Sequence, residues 1–227
     1  MKTTAKCVFL ALATAGIQAA ADSAPKLETT ETRHIEFPAG GGLKLTRLSG
    51  EVTVEGWDGP DLELTTVKYT PVEYTGADRE KAAKLVQETH VDASLHGDQV
   101  EIKTTAPKRS RFLFLKFGIQ VDVDYRIKVP RTARMVVDHD SGELHIIDLT
   151  GDIRASLREG LITLMLPASG QYTIDAHSTV GDVICDFAGQ PHNHSWRFSH
   201  SFMSSAAAPH KLDLRIRFGD IIIRKEP

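Results

Sequence analysis

The chain has 227 residues, with 27 Lys and Arg against 30 Asp and Glu, and a formal net charge of −3. This slightly acidic balance gives no reason to expect nucleic acid or an anionic membrane as the main partner. The length suits one or two domains, and an all-β chain of this size often forms one.

The first 21 residues have the pattern of a secretory signal peptide. Lys2 and Lys6 supply the positive start, residues 7–17 are apolar, and Ala19 and Ala21 occupy the small-residue positions of a cleavage site. The apolar run is too short to cross a ~30 Å hydrocarbon core, which needs about 20 residues. An uncleaved N-terminal anchor is the alternative, and no later segment is long and apolar enough to span a membrane.

Cleavage after Ala21 leaves residues 22–227 as one exported domain, located in the periplasm or at the cell surface. It removes two lysines and no acidic residue, so the net charge becomes −5. Cys185 is then the single cysteine, and an intramolecular disulfide is excluded. The domain must therefore be stabilised by core packing.

Alternation of apolar and polar residues dominates the rest of the chain and predicts an all-β domain. One segment differs, because residues 78–87 place Ala82, Leu85 and Val86 on one helical face. We expect a short amphipathic helix there, inside an insertion at about 76–90. Residues at about 190–210 fit the strand pattern poorly and are predicted to form an irregular loop.

Glycines recur at a period of about 19 residues between strand starts and predict stacked turns. A turn, a strand, a turn and a second strand in that length make one rung of a β-solenoid, a β-helix-like repeat. Glycine suits each corner because it allows a positive φ or a close approach to the next rung. An antiparallel sandwich is the rival architecture. The predicted structural turn glycines are Gly50, Gly59, Gly142, Gly151, Gly160, Gly170, Gly181 and Gly219.

Four segments resemble the putative-adhesin family of bacterial envelope proteins, a domain of unknown function. They are FPAGGGLKLTRLSGEVTVEGWDG (37–59), VPRTARMVVDHDSGELHIIDLTGDI (129–153), LPASGQYTIDAHSTVGDVICDF (166–187) and FGDIII (218–223). The resemblance covers most of residues 22–227 and implies a β-solenoid. It implies no catalytic residues and no cofactor, because the family supplies none to carry over.

Four histidines between residues 192 and 210 raise the question of a metal site. His192 and His194 would point to the same side of an extended strand and could chelate a borderline metal ion. Against this, the surroundings are rich in Ser and Ala and hold few carboxylates. A solvated loop is the favoured interpretation, and His192 and His194 stay weak metal candidates.

Two groups of polar residues were weighed as enzyme sites. Residues 138–141 (DHDS) contain the side chains of a hydrolase triad, but adjacent residues of an extended chain point to opposite faces. Glu143 and Asp182 occupy the same column of the repeat, which would suit a β-helix glycosidase, but Leu161 interrupts the column. The patterns favour turns and strands, and the chain is predicted not to be an enzyme.

The segment KRSRFLFLKFG (108–118) combines cations with apolar residues that hardly alternate. One interpretation is a strand or hairpin buried on both faces. The other is an exposed hairpin tip at which Phe112, Phe114 and Phe117 contact a partner or a membrane headgroup layer.

These patterns together predict an exported, non-enzymatic envelope protein, an adhesin-like binding or scaffolding module without a cofactor. Its partner would be an envelope or surface ligand, protein or glycan, and not nucleic acid; the oligomeric state is left open. The alternatives are a carbohydrate-active enzyme on a β-helix and a metal-binding periplasmic protein that uses the 192–210 His loop.

Overall fold

The computed structural model of the protein describes residues 27–105, 118–194, 199–204 and 207–226. Within these ranges the chain forms thirteen β-strands and one helix. The strands are β1 (Glu28–Ile35), β2 (Gly42–Trp57), β3 (Leu62–Tyr69), β4 (His90–His96), β5 (Gln99–Thr105), β6 (Asp122–Pro130), β7 (Arg134–Ile147), β8 (Ile153–Pro167), β9 (Tyr172–Val180), β10 (Val183–Cys185), β11 (Gly189–His194), β12 (Ser199–Ser204) and β13 (His210–Glu226). The helix is α1 (Gly76–Glu88).

The alternating residues bury one side of each long strand. In β8, Ile153, Ala155 and Leu157 are buried while the residues between them are exposed. The other long strands follow the same rule, and their inward side chains form one hydrophobic cluster. An all-β domain with a single core, as the sequence predicts, is therefore confirmed at the level of fold class.

The strands belong to one mixed, open sheet with the order β1-β3-β6-β2-β7-β8-β13-β9-β12-β11. Strands β6, β2, β7, β8, β13 and β9 follow one another in the sheet, and each adjacent pair among them is parallel. Antiparallel strands flank them, with β3 and β1 on one side and β12 and β11 on the other. Three short strands lie off this path: β10 pairs with β13 and β5 with β2, both parallel, while β4 pairs with β5 antiparallel.

A column of glycines crosses the middle of the long strands. Gly50 lies opposite Gly142, Gly142 opposite Gly160, and Gly160 opposite Gly219. Their φ angles are 102°, 126°, 137° and 132°, and Gly181 beside Gly219 has 140°. A Cβ on Gly160 would overlap the carbonyl oxygen of Gly142. Both the positive φ and this close approach require glycine.

Three of the predicted turn glycines have another role. Gly59, Gly151 and Gly170 do not adopt a positive φ. A Cβ on Gly151 would overlap the carbonyl oxygen of Ala133, and a Cβ on either of the other two would overlap a neighbouring aromatic ring. These positions therefore need glycine for close packing rather than for backbone conformation.

The glycine column divides each long strand into two halves. In β7 the buried residues before Gly142 include Met135 and Val137, whereas those after it are Leu144 and Ile146. In β7, the side chains that point into the core therefore belong to odd-numbered residues before Gly142 and to even-numbered residues after it. We call the solvent-facing surface of the strand halves that precede the glycine column the first face. The solvent-facing surface of the strand halves that follow the glycine column is the second face.

One departure of the sheet order from the chain order concerns the stacking of the repeat. The sequence repeat suggests that the unit beginning at Tyr172 stacks directly on β8. The structure instead inserts β13 between β8 and β9, with Leu212 opposite both Ile153 and Ile174. The regular repeat could not reveal this insertion because its units are similar in length and pattern.

The helix and the segment at about 190–210 differ from expectation in extent. Helix α1 runs from Gly76 to Glu88 and buries Ala82 and Val86, with Leu85 half-buried. The predicted irregular loop contains β11 and β12, which pair with each other, and β12 pairs with β9. The polar composition of this segment hid its strands, because edge positions need little apolar surface.

Two of the sequence predictions fall outside the described residues. The signal peptide, residues 1–21, is one of them, and the aromatic segment with Phe112, Phe114 and Phe117 is the other. In the part of the chain that is described, no helix combines the length and apolar character that crossing a membrane requires.

Candidate functional site

An apolar patch surrounds Thr163 on the second face. Inward packing of Ile162 and Leu164 forces their neighbours outward, and the same alternation acts in β7, β13 and β10. The patch consists of Ile147, Leu161, Met165, Ile184 and Ile222. Two of these side chains stand out in solvent, since Met165 is 39% exposed and Ile184 is 44% exposed.

Strand register brings the patch residues together. Met165 lies opposite Ile147 on β7, and Thr163 lies opposite Ile222 on β13. Ile222 in turn lies opposite Ile184 on β10. Directly opposed residues on neighbouring strands are within contact range, so these side chains form one continuous surface. Exposed apolar surface of this kind marks an interaction site more often than an isolated apolar residue does.

A row of carboxylates borders the patch on the side nearest the glycine column. Glu51 lies opposite Glu143, and the row continues through Leu161 to Asp220. Asp182 extends it, because its backbone N–H donates a 2.7 Å hydrogen bond to Oδ1 of Asp220. Like charges on adjacent strands repel each other, so the row carries a cost that a cationic partner would relieve.

Two histidines contact this row. His145 Nε2 lies 3.0 Å from a carboxylate oxygen of Glu143, and His200 Nδ1 contacts a carboxylate oxygen of Asp182. Both acidic partners remain exposed, with 57% and 63% of their side-chain surface in solvent. The carboxylates are therefore accessible to a partner despite these contacts.

The first face has a different electrostatic character. Its cations contact acidic residues of neighbouring strands: Lys44 lies 3.0 Å from Glu101, and Arg215 lies 2.8 Å from Asp175 and 3.1 Å from Asp213. The charges in this part of the surface largely offset one another. On the second face, in contrast, Glu51, Glu143, Asp220 and Asp182 form an acidic border beside the apolar patch.

A groove of about 520 Å³ opens where the strands of the first face begin. It contains Arg134, Arg154 and Lys211. Arg134 lies 2.5 Å from Asp98 and Arg154 lies 3.4 Å from Asp213, so both arginines have acidic partners within the protein. The groove is open and both of its arginines are paired, which makes it a weaker candidate than the apolar patch.

The residues weighed as enzyme groups do not converge. Glu143 and Asp182 share one row, but Leu161 and Asp220 lie between them, so three strand spacings separate the pair. At about 4.8 Å per spacing this is roughly 14 Å, beyond the separation that glycosidases use. In the 138–141 segment, Asp138 and Asp140 are exposed, whereas His139 is buried on the opposite side of β7.

The predicted metal candidates lie on an edge strand. The backbone of His192 and His194 belongs to β11, where they pair with Ser201 and Ser199. Their side chains are outside the described part of the structure. Among the side chains that are described, no three His, Cys, Asp or Glu residues come together as a metal site would require.

Cys185 lies on the inward side of β10 and is half-buried. It packs partly against the core together with Val183 and Phe187, while Ile184 between them points outward. Burial raises the pKa of the Cys185 thiol to about 11. The side chain is half-buried because β10 is an edge strand of three residues.

The sequence analysis missed the apolar patch, although a signal was present. Alternation fails where apolar residues run together, at residues 146–147, 164–166, 183–185 and 221–223. In each run one apolar side chain must point outward, and those residues are Ile147, Met165, Ile184 and Ile222. Two or three successive apolar residues in an otherwise alternating strand therefore indicate an apolar side chain that points into solvent.

Comparison with known proteins adds information on the fold. No family model and no curated protein matches the chain. A putative cell adhesion protein from Clostridium sporogenes is structurally similar, with a TM-score of 0.51, 12% identity, and coverage of 89% of this chain and 100% of that one. A putative adhesin from Bacteroides fragilis aligns with a TM-score of 0.29, 12% identity, and coverage of 87% and 97%. A putative lipid binding protein from Parabacteroides distasonis aligns with a TM-score of 0.26 and 10% identity, over 87% of this chain and 97% of that one.

Of these three, the Clostridium protein has a TM-score above 0.5 and supports a shared fold. An identity of 12% over nearly the whole chain says nothing about shared partners or residues. Any functional conclusion must therefore rest on the surface of this chain.

Proposed function

We propose that the chain is an exported, non-enzymatic binding module of the bacterial envelope, which holds a protein partner against the second face. The observation that carries the proposal is the apolar patch around Thr163, whose side chains stand in solvent on strands that are otherwise regular. Burying such side chains is favourable by roughly 25 cal/mol per Å² of apolar surface. Nothing in the strand pattern requires apolar residues at these outward positions, so a partner explains them better than folding does.

The carboxylate row defines the chemistry of that partner. A complementary surface would place apolar side chains over Met165 and Ile184, and Lys or Arg beside Glu51, Glu143 and Asp220. Opposed potentials of this kind steer association and fix the orientation of a complex. The partner we propose is thus a folded protein with a basic rim around an apolar centre.

We also infer that the repeat is a β-solenoid in the sense of stacked two-sided rungs. Support comes from the glycine column, from the change of burial phase at Gly142, and from the parallel register of β2, β7, β8 and β13. The adhesion-related description of the Clostridium protein and the signal-peptide pattern of residues 1–21 are consistent with an envelope role. The resemblance to the putative-adhesin family fits the same picture.

The test compares surface variants in the capture of envelope proteins. Met165→Lys combined with Ile184→Lys places two cations in the patch. Val136→Lys is the matched control, because Val136 is an outward residue of β7 on the first face with a similar exposure of 37%. We expect wild type and the control to retain the same discrete, basic-surfaced protein, and the double variant to lose it.

A charge variant makes the test specific. Glu143→Lys should weaken capture without abolishing it, and raising the salt from about 0.05 M to about 0.5 M should do the same, because salt screens exposed charges. Equal capture by all variants would overturn the proposed face. Binding of the wild type to glycans or lipid vesicles instead, unaffected by the patch variants, would overturn the proposed partner class.

A further inference from the structure

The outer edges of the sheet are protected unequally. At β11, Pro191 lies within the edge strand, and proline there discourages pairing with another chain. At β4, the carbonyl oxygen of Val91 accepts a 2.7 Å hydrogen bond from Arg33 Nη2. Strand β10 has three residues. Strand β1, in contrast, is eight residues long, contains no proline, and is exposed from Glu28 to Thr32.

The outward backbone groups of β1 can be assigned from its pairing with β3. The N–H of Thr70 donates a 3.0 Å hydrogen bond to the carbonyl oxygen of Leu27, so the groups of Leu27 point towards β3. In an antiparallel pair the residues alternate between pointing towards the partner strand and away from it. The N–H and C=O groups of Thr30, Thr32 and His34 therefore point away from the sheet.

We propose that β1 is a self-association edge, at which two copies of this chain pair antiparallel and join their sheets into one. The outward groups supply the bonding: Thr32 faces Thr32 of the second copy, and Thr30 faces His34 of the second copy. Each such hydrogen-bonded pair exchanges two N–H···O bonds. Three threonines in eight residues also suit an extended strand.

The charges of Glu31 and Arg33 favour the register centred on Thr32 over the two registers centred one residue away, which also bring outward N–H and C=O groups together. With Thr32 at the centre, Glu31 of each copy lies opposite Arg33 of the other. Moving the centre by one residue in either direction places Glu31 against Glu31 or Arg33 against Arg33, because β1 is then paired about a charged residue. Opposite charges across a pair of strands stabilise it, and like charges destabilise it. Within one copy, Arg33 Nε lies 3.3 Å from Glu31 Oε1, and both side chains still reach solvent, with 49% of Glu31 and 32% of Arg33 exposed. Pairing of two copies would therefore bring the four charges together as two Glu and two Arg of alternating sign.

The occupant is a second copy rather than an unrelated peptide because the edge is complementary to itself. A strand that carries Glu and Arg at equal distances from a central Thr pairs Glu31 with Arg33 of its own antiparallel copy twice, while Glu28 faces Glu36 at the two ends of the pairing. The edge is also separated from β7, the nearest strand of the apolar patch, by β3, β6 and β2. Joining two copies at β1 would leave both patches open, so this inference stands independently of the proposed partner.

Charge exchange between copies tests the proposal. Sedimentation velocity of the purified chain should show a concentration-dependent dimer. Glu31→Arg alone and Arg33→Glu alone should each raise the dimer dissociation constant at least about tenfold, since each puts like charges opposite each other twice. An equimolar mixture of the two variants should recover the dimer, because every facing pair is then Arg with Glu.

Two further variants distinguish a loss of dimerisation from a loss of folding. Thr32→Pro removes an outward N–H and no backbone hydrogen bond to β3; it also loses the exposed side-chain hydrogen bond to Thr65, so it should give a monomer with a melting temperature that falls only slightly. Met165→Lys with Ile184→Lys should leave the dimer intact. A monomeric wild type at all accessible concentrations would overturn the inference. So would a dimer that survives Thr32→Pro, or a mixture of the charge variants that fails to associate while each variant melts as the wild type does.

Discussion

Gly160 lies directly opposite Gly142, and the carbonyl oxygen of Gly142 occupies the space where a side chain on Gly160 would begin. The same relationship links Gly219 to Gly160. The two halves of each long strand can therefore share one core only while this column has no side chains.

Gly160→Ala should lower the free energy of unfolding by about 3 kcal/mol or more, because a strained φ of 137° and a backbone overlap act together. Gly97→Ala is the control: Gly97 also has a positive φ, 64°, but an added Cβ would meet open space. We expect the control to lose only about 1–2 kcal/mol. Urea unfolding of both variants measures the difference, and equal losses would show that the close approach contributes nothing.

The buried imidazole of His139 should make the protein less stable in mild acid. Burial lowers the pKa of His139 in the folded state, whereas the unfolded chain titrates near about 6.5. Below that pH the unfolded state binds a proton that the folded state does not, so stability is fully present above about pH 6.5 and falls as the pH drops. His139→Leu should reduce the fall in unfolding free energy between pH 7.5 and pH 5, values chosen to bracket about 6.5.

The control for this measurement is His90→Gln, because His90 is an exposed residue of β4. It should leave the pH dependence close to that of the wild type. If His139→Leu and the wild type lose stability in parallel, another group is responsible for the acid sensitivity.

Cys185 should react slowly with thiol reagents in the folded protein. With a pKa raised to about 11 by burial, roughly one thiol in a thousand is ionised at pH about 8, and the thiolate is the reactive form. Introducing Glu88→Cys at the exposed end of α1 provides an internal comparison. The new thiol should react at least about tenfold faster than Cys185, followed by mass spectrometry, and unfolding in urea should remove the difference. Fast labelling of Cys185 in the wild type would contradict its packing against the core.

The signal-peptide prediction has a direct readout. Mass spectrometry of the protein from its native source should give an N-terminus near Asp22 or Pro25, since Ala19 and Ala21 form the cleavage pattern. Expression with Ala19 and Ala21 both changed to bulky residues should retain the full-length chain. Finding Met1 to Ile17 on the mature wild-type protein would exclude cleavage.

Much of the local structure could be predicted from the sequence, because alternation and glycine spacing act over a few residues. Helix α1 and the inward phases of Ile153, Ile162 and Val183 follow from such patterns. The site was harder to predict. Met165 and Ile222 read as ordinary strand residues, and only the register between distant strands shows that they lie on one surface with Ile184.

The insertion of β13 between β8 and β9 has a consequence for the order of events during biosynthesis. Residues 210–226 supply a strand in the interior of the sheet, so β8 and β9 lack this neighbour until that segment has been synthesised. Native contacts between such distant parts of a chain form late. A chain emerging from the ribosome would stay incompletely folded until residues 210–226 were released. A truncated product would leave the edges of β8 and β9 open for chaperones and proteases to recognise.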